Sequence, residues 1–437
     1  MSASLSRRRL LAGAGALAGS AILPACGKSA QSKNTITLLN DANTDGTPLG
    51  AAIKAFEKQS GKKVEVQPAP SDYDTKMRTV LASPAPPDVM RVNDDYVRGL
   101  SDDNVLLDLR SYIKRDHINA ADYASKAFNF PTQPDGRHTA WVIGYSPRVI
   151  YYNVDWFKSA GVALPPGTWT DEHWTWDDFL DAAKKLTKGT NKWGALVYLD
   201  TGYEQTFSIN NGSATGIFSA NGKKFTLADP KGVEAVEWAT DLTTKYQVQP
   251  PWSVLQGVNV DTTFFSQQKV AMLFDTFQVT PYFRENVKNF TWDIAPPPGK
   301  VNQDTESSMI VYAIPKKSKN PDGAWELLNF LAGPDGGAVL AKGKEFTPVN
   351  NKAGETVKAD AKSPAHLGLF AEAVHHMTQP NQTTNTLGAR DLYRPPNGAL
   401  ADVYGGKKSP SEVLNTLRPK INKVLSESPN LMNQLGN

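Results

Sequence analysis

Between Thr35 and Val92 the chain switches repeatedly between two hydrophobic periodicities, and that switching restricts it to one class of fold. Thr35-Ile-Thr-Leu-Leu-Asn40 is a short apolar run suited to a buried strand, followed by a polar turn through Asp45-Gly46. Leu49, Ala52, Ile53 and Phe56 then recur at helical spacing, with Gly61 just past the end. Val64 and Val66 alternate like a strand. Tyr73, Met77, Val80 and Leu81 return to helical spacing until Pro84, Pro86 and Pro87 stop it, and Asp88 to Val92 is strand-like again. Strand and helix in alternation predict an α/β protein with a mainly parallel sheet covered on both faces.

The pattern continues along the chain. Helices are expected at Thr175 to Leu186, capped by Thr175, and at Asp229 to Tyr246, where Asp229-Pro230 supplies an N-cap and a first-turn proline. Lys269 to Phe274 and Met309 to Ile314 are strand candidates. Pro321 opens a helix that buries Ala324, Leu327, Leu328 and Leu331, and Val413, Leu417, Ile421 and Val424 mark a last helix. The polar stretch Thr378 to Thr386 reads as a loop. Two α/β lobes and a helical tail follow from this arrangement.

Cysteine occurs once in 437 residues, at Cys26, so neither a disulfide nor a cysteine metal site supports the fold. Cys26 closes Leu23-Pro24-Ala25-Cys26 after an apolar stretch of residues 10–25, itself preceded by Arg7-Arg8-Arg9. That stretch is too short for a bilayer, which needs about 20 residues, and its layout describes an export peptide over residues 1–25. Leu-x-Ala-Cys resembles the lipobox of bacterial lipoproteins, which implies lipidation of Cys26, cleavage before it and attachment to the cell membrane through the lipid. Residues 26–34 are small and polar, as a tether would be. Ser6 to Leu11 also resembles a twin-arginine export signal, while a basic start is compatible with ordinary secretion.

Charge and histidine spacing exclude further classes. The chain has 47 basic and 44 acidic residues, and losing the three leader arginines takes the formal charge from +3 to zero, which leaves no footprint for nucleic acid. Histidines at 117, 138, 173, 366, 375 and 376 lack metal-ligand spacing, and no cofactor is expected.

Several segments, in order, resemble the bacterial extracellular solute-binding proteins of family 1. They are Pro87-Asp88-Val89, Tyr151 to Gly161, Trp174 to Phe179, Phe265 to Leu273, Ile294 to Gly299, and Asn320 to Trp325 leading to Phe330. The resemblance implies a two-lobed, type II periplasmic-binding-protein-like fold with a ligand cleft between the lobes. Residues 35–145 and 308–345 would build lobe I, residues 150–300 and 350–437 lobe II, with hinges near 143–149, 306–311 and 346–351. It further implies a monomeric extracytoplasmic receptor that performs no bond chemistry. Such a receptor captures a carbohydrate, mono- or oligosaccharide, by lobe closure and delivers it to the permease subunits of an ABC importer. Glu306-Ser307-Ser308 and Asp275-Thr276-Phe277 depart from the family pattern where relatives contact ligand. The alternatives are the same fold carrying a polyol or glycerol phosphoester, and a secreted glycoside hydrolase with paired carboxylates.

A sugar presents an apolar face and a rim of hydroxyls, which flat rings and planar polar side chains match. Ligands of open α/β sheets sit beyond the carboxyl ends of strands. By that rule Asn43 and Asp45 follow the first strand and Asn93 and Asp94 the third, with Trp141 and Tyr145 at the first hinge. Tyr203, Trp252, Asp275 and Phe277 are the lobe II candidates, and Arg394 lies in a polar region able to close over the cleft. Capping and turn formation compete as roles for the polar residues, and core packing competes for the aromatic ones.

Overall fold

Local chemistry places the helices where the periodicity predicts them. The Pro48–Ser60 helix opens with the Thr47 side chain accepting the Gly50 N–H and ends at Gly61, whose φ of 71° is the left-handed conformation that glycine adopts freely. The Trp176–Leu186 helix begins with a full capping box, Thr175 and Asp178 each accepting the other's backbone N–H. The Asp229 carboxylate, by contrast, makes no capping bond at the Pro230–Thr244 helix; it takes the Arg418 guanidinium at 2.7 Å instead. A cation on a neighbouring helix outcompetes the backbone there.

This computed structural model describes residues 34–69, 71–169, 174–198, 202–257, 259–357, 362–394, 398–427 and 432. The export segment and the Cys26 lipobox lie outside them. The strands are β1 (Thr35–Asn40), β2 (Lys63–Pro68), β3 (Val89–Val92), β4 (Trp141–Asn153), β5 (Trp193–Leu196), β6 (Val270–Thr276), β7 (Trp292–Ala295), β8 (Thr305–Ala313), β9 (Thr347–Pro348) and β10 (Met377–Thr378). They are hydrogen-bonded in the order β2-β1-β3-β8-β4-β6-β5, with β7 and β9 on β4 and β10 on β8.

The sheet is mixed rather than mainly parallel. β1 pairs in parallel with β2 and β3, and β5 with β6, but β4 runs antiparallel to β6, β7, β8 and β9, and β3 antiparallel to β8. The helix-linked strands within each lobe keep the parallel sense. The exceptions come from strands by which the chain leaves one lobe and later returns to it.

Two hydrophobic cores result. One gathers Ile36, Phe56, Val89, Trp141, Val311 and Trp325 into lobe I; the other gathers Tyr151, Phe179, Phe207, Phe274 and Leu417 into lobe II. β4 enters both, and all thirteen of its residues are buried. At about 3.3 Å per residue it runs on the order of 40 Å. No helix among the described residues is long and apolar enough to cross a membrane.

His138 sits in the lobe I core beside Phe128 and Trp141, its Nδ1 3.1 Å from the Thr132 hydroxyl. Burial pushes its pKa down to about 4, with Asp108 partly opposing. The unfolded chain therefore takes up this proton first as pH falls below about 6.5, so the contribution to stability is lost between roughly pH 6.5 and 4. Urea unfolding at a series of pH values should show the midpoint falling across that window. His138→Gln should flatten the slope; an unchanged slope would assign it to other groups.

Candidate functional site

A cleft opens where β4 and β8 pass from one lobe to the other. On the lobe I side, β3 ends at Val92 and the chain turns tightly through Asp94–Tyr96. The Asp94 carboxylate accepts the Asp95 N–H at 3.0 Å and the Met309 N–H, from β8, at 2.8 Å. Tyr96 is buried and donates to Asp74 at 2.7 Å, which fixes the turn.

The floor is a buried ion pair between Arg148 of β4 and Glu306 of β8. Arg148 also donates to the Ser308 hydroxyl at 3.2 Å, the Thr305 hydroxyl donates to the Arg148 carbonyl at 2.7 Å, and the Glu306 N–H donates to Thr206 at 2.9 Å. Gly202 packs against the pair: a Cβ there would lie 2.2 Å from Arg148 Nε and 2.4 Å from Glu306 Oε2. The remaining wall is Phe218, Thr386 and Arg394 with Gln379, Pro380, Asn381 and Gln382 from the segment after β10. The Asn381 amide is held by donation to the Phe218 carbonyl at 2.8 Å.

The electrostatics are close to balanced. Asp94, Asp95 and Glu306 face Arg148 and Arg394 across the cleft. Burial, and then the adjacent Asp95 charge, raise the Asp94 pKa, although the Met309 N–H works in the other direction. Arg394 approaches the buried Glu204 at 3.8 Å, and Arg390 pairs with Asp95 at 3.1 Å. Every guanidinium at the site therefore has a carboxylate within reach. What the cleft offers is one flat apolar ring, three amides, two hydroxyls and paired charges, a set that both donates and accepts. Among the described residues no group of His, Cys, Asp and Glu could hold a metal ion.

Of the residues expected from sequence, Asp94 and Arg394 line this cleft together. Asn93 is exposed next to Asp94 and does not line it. Asn43 and Asp45 close an exposed turn on themselves, the Asn43 side chain accepting the Asp45 N–H at 3.1 Å. Trp141 is 2% exposed and packs edge-on against Trp325 at 4.9 Å; it is a lobe I core residue, because β4 is covered on both faces there. Tyr145 is buried too and turns to a different groove, its hydroxyl 3.4 Å from the Ala371 carbonyl. Tyr203 and Trp252 pack around Tyr404, with Tyr203 hydrogen-bonded to the Tyr404 hydroxyl. Asp275 is buried at the end of β6, accepting the Thr276 N–H at 2.7 Å, and Phe277 stacks on Phe370 at 3.7 Å. Neither lines the cleft.

Arg148, Glu306, Phe218 and the amides were not among the expected ligand residues. Arg148 and Glu306 had a readable signal: each is a lone charge in an otherwise uncharged strand, WVIGYSPRVIYYN and TESSMIVYA, and a buried charge requires a partner. The polar richness of Thr378 to Thr386 was visible but pointed only to a loop. Phe218 carries no sequence signal that separates it from a core residue.

Comparison with known proteins places this geometry. The profile of the bacterial extracellular solute-binding proteins matches residues 40–338. An ABC substrate-binding protein of Listeria monocytogenes, solved in complex with cycloalternan, is 26% identical, with a TM-score of 0.78 over 90% of this chain and 99% of that one. UgpB of Mycobacterium tuberculosis, in complex with glycerophosphocholine, is 15% identical with a TM-score of 0.73 over 90% and 98% of the two chains. A Thermotoga lettingae solute-binding protein bound to α-D-tagatose is 20% identical, with a TM-score of 0.72 over 90% and 100%. The fold is thus the α/β, two-lobed, type II periplasmic-binding-protein fold.

Two substitutions separate packing from binding. Trp141→Ala should destabilise the protein by about 3–5 kcal/mol in urea unfolding and leave the ligand dissociation constant unchanged. Gly202→Ala should cost about 1–3 kcal/mol by overpacking and, in addition, weaken ligand binding, because the new methyl displaces the floor pair. The reverse pattern would move the site away from Arg148 and Glu306.

Proposed function

This chain belongs to the bacterial extracellular solute-binding protein family, and we propose that the solute it captures is a carbohydrate, a mono- or oligosaccharide enclosed between the two lobes. The observation that carries this reading is the pairing of Arg148, Arg390 and Arg394 with Glu306, Asp95 and Glu204. An anionic solute would have to compete with a carboxylate for each of these guanidinium groups. A neutral polyol ring instead meets Phe218 with its apolar face and the amides, hydroxyls and carboxylates with its rim. The sugars named for the Listeria and Thermotoga proteins support the same class.

Contacts to both lobes exist only when the cleft is shut, so the solute favours the closed form by its differential affinity for it. The closed receptor would then deliver the solute to the permease of an ABC importer. Anchoring through a lipid on Cys26, export by the twin-arginine or the ordinary route, and action as a monomer belong to the same proposal. The family and the structural neighbours are binding proteins, and the family is extracellular.

Glycerophosphocholine in the Mycobacterium relative makes a phosphodiester the competing cargo. A thermal-shift screen of neutral saccharides beside glycerophosphodiesters, followed by titration calorimetry at rising salt, decides between them. A ligand at 100 times its dissociation constant stabilises the protein by about 2.7 kcal/mol. The expected result is a neutral sugar whose affinity barely changes between low and high ionic strength. Preference for a phosphodiester, with affinity falling steeply in salt, would replace the sugar.

A further inference from the structure

The Thr386–Tyr393 helix answers to both lobes. Ala389 and Tyr393 are buried in the lobe II core, whereas Leu387 packs against the core of lobe I. Arg390, three residues after Leu387 and so on the same helix face, reaches lobe I as well, with Nη1 3.1 Å from Asp95 Oδ2. The segment leading to this helix is fastened in the same direction. Gln382 donates its amide to the Phe130 carbonyl at 2.9 Å, and Lys126 donates to the Met377 carbonyl. Residues 377–393 therefore form a strap that lines the cleft with Gln379 and Thr386 and is tied to the wall opposite its own core.

Three features single out Arg390 and Asp95 among these ties. Both side chains are about one-third exposed, at 31% and 35%, while Arg148 and Glu306 at the floor are buried, so the pair sits at the rim. Asp95 is held in place by its neighbours, since Asp94 is bonded to β8 and Tyr96 to Asp74. Partial burial opposes the Arg390 charge, yet Asp95 and Tyr96 outweigh it and keep the pKa above its ordinary value. Each contact joins protein to protein, so none needs a solute as its bridge.

We propose that Arg390 and Asp95 form a catch that holds the strap shut, so that the pair sets the balance between open and closed receptor and tunes affinity through that balance. An exposed ion pair is worth a factor of roughly two to five in such a balance, and it is screened by salt. The apparent affinity for a solute scales with the fraction of receptor able to hold it closed, so the same factor carries over to binding. Arg390 acts here as a positioning residue outside the cleft lining, whereas Asp95 also lines the cleft, so the affinity readout rests on Arg390→Gln. Only the affinity part rests on the cleft assignment made under Proposed function.

The test is small-angle scattering of the full chain with no solute added, on the wild type, Asp95→Asn, Arg390→Gln, and the exchanged pair Asp95→Arg with Arg390→Asp. Near-ultraviolet circular dichroism verifies that each is folded. At low salt the two single variants should have a larger radius of gyration than the wild type, and the exchanged pair should return to the wild-type value. At about 1 M salt, where screening acts within about 3 Å, the wild type should expand to match the single variants. Identical low-salt profiles for wild type and single variants would overturn the catch, as would an exchanged pair that is folded but stays expanded. In titrations with the saccharide identified by thermal shift, Arg390→Gln should bind roughly two- to fivefold more weakly. Should no saccharide bind any variant, the carbohydrate assignment fails, and the scattering still decides the catch.

Discussion

Strand β4 is covered from Trp141 to Asn153, with Trp141–Tyr145 in one core and Val149–Tyr152 in the other, so the residues between those two blocks tie the lobes together. Each block is fixed by packing whose loss costs several kcal/mol per large side chain, so neither end can give. The ladder to β8 is irregular between Val142 and Gly144, and Pro147, opposite Ser307, has no N–H to contribute. Gly144 is also a point of close approach, since a Cβ there would lie 2.2 Å from the Phe346 ring. If the lobes close as proposed, Ser146 to Arg148, between the two blocks, is where β4 would bend. Rigid lobes on a localised hinge are what allow small changes at the cleft to become rotation of a whole lobe.

The Arg148–Glu306 pair lies on the strands that join the two cores and obeys a different energetic rule from the pairs on the surface. Burying two charges costs several kcal/mol per ion unless their geometry and remaining hydrogen bonds are good, and removal of either partner is more damaging than the pair is stabilising. Ser308, Thr305 and Thr206 supply additional bonds around it. Both charges are carried by hydrogen-bonded neighbouring strands, so lobe closure as proposed would leave the pair together.

Much of this fold was legible because local chemistry and tertiary packing agree. Gly61, Thr175 and the Leu327-Leu328-Leu331 stripe mark helix ends and faces that the structure keeps. β4 was less legible: Gly144 and Pro147 have low strand propensity, yet burial on both faces overrides it. The same override explains Trp141 and Tyr145, for in a run without polar alternation an aromatic residue is core. At the cleft, the strand-end rule points to Asp94 and the polar region near the end of the chain to Arg394, and both line it. The rule missed the floor because Arg148 and Glu306 lie within strands rather than beyond them, and it missed Phe218 because its role depends on what the chain brings opposite it. Asp229 shows the converse, a correct helix start whose capping side chain was taken by Arg418.

Pairing each guanidinium with a carboxylate also bears on selectivity. A receptor that meets many solutes must disfavour the wrong ones as well as hold the right one, and like charge or an occupied partner does this efficiently. A phosphate or carboxylate arriving at Arg148 meets Glu306 already bound, with Asp94 and Asp95 on the opposite wall adding repulsion. A hydroxyl arriving at the same place can donate to Glu306 or Asp94 and accept from Arg148 without separating the pair. On the proposed reading, the balance of charge at the floor would favour neutral, hydroxyl-rich solutes over anions.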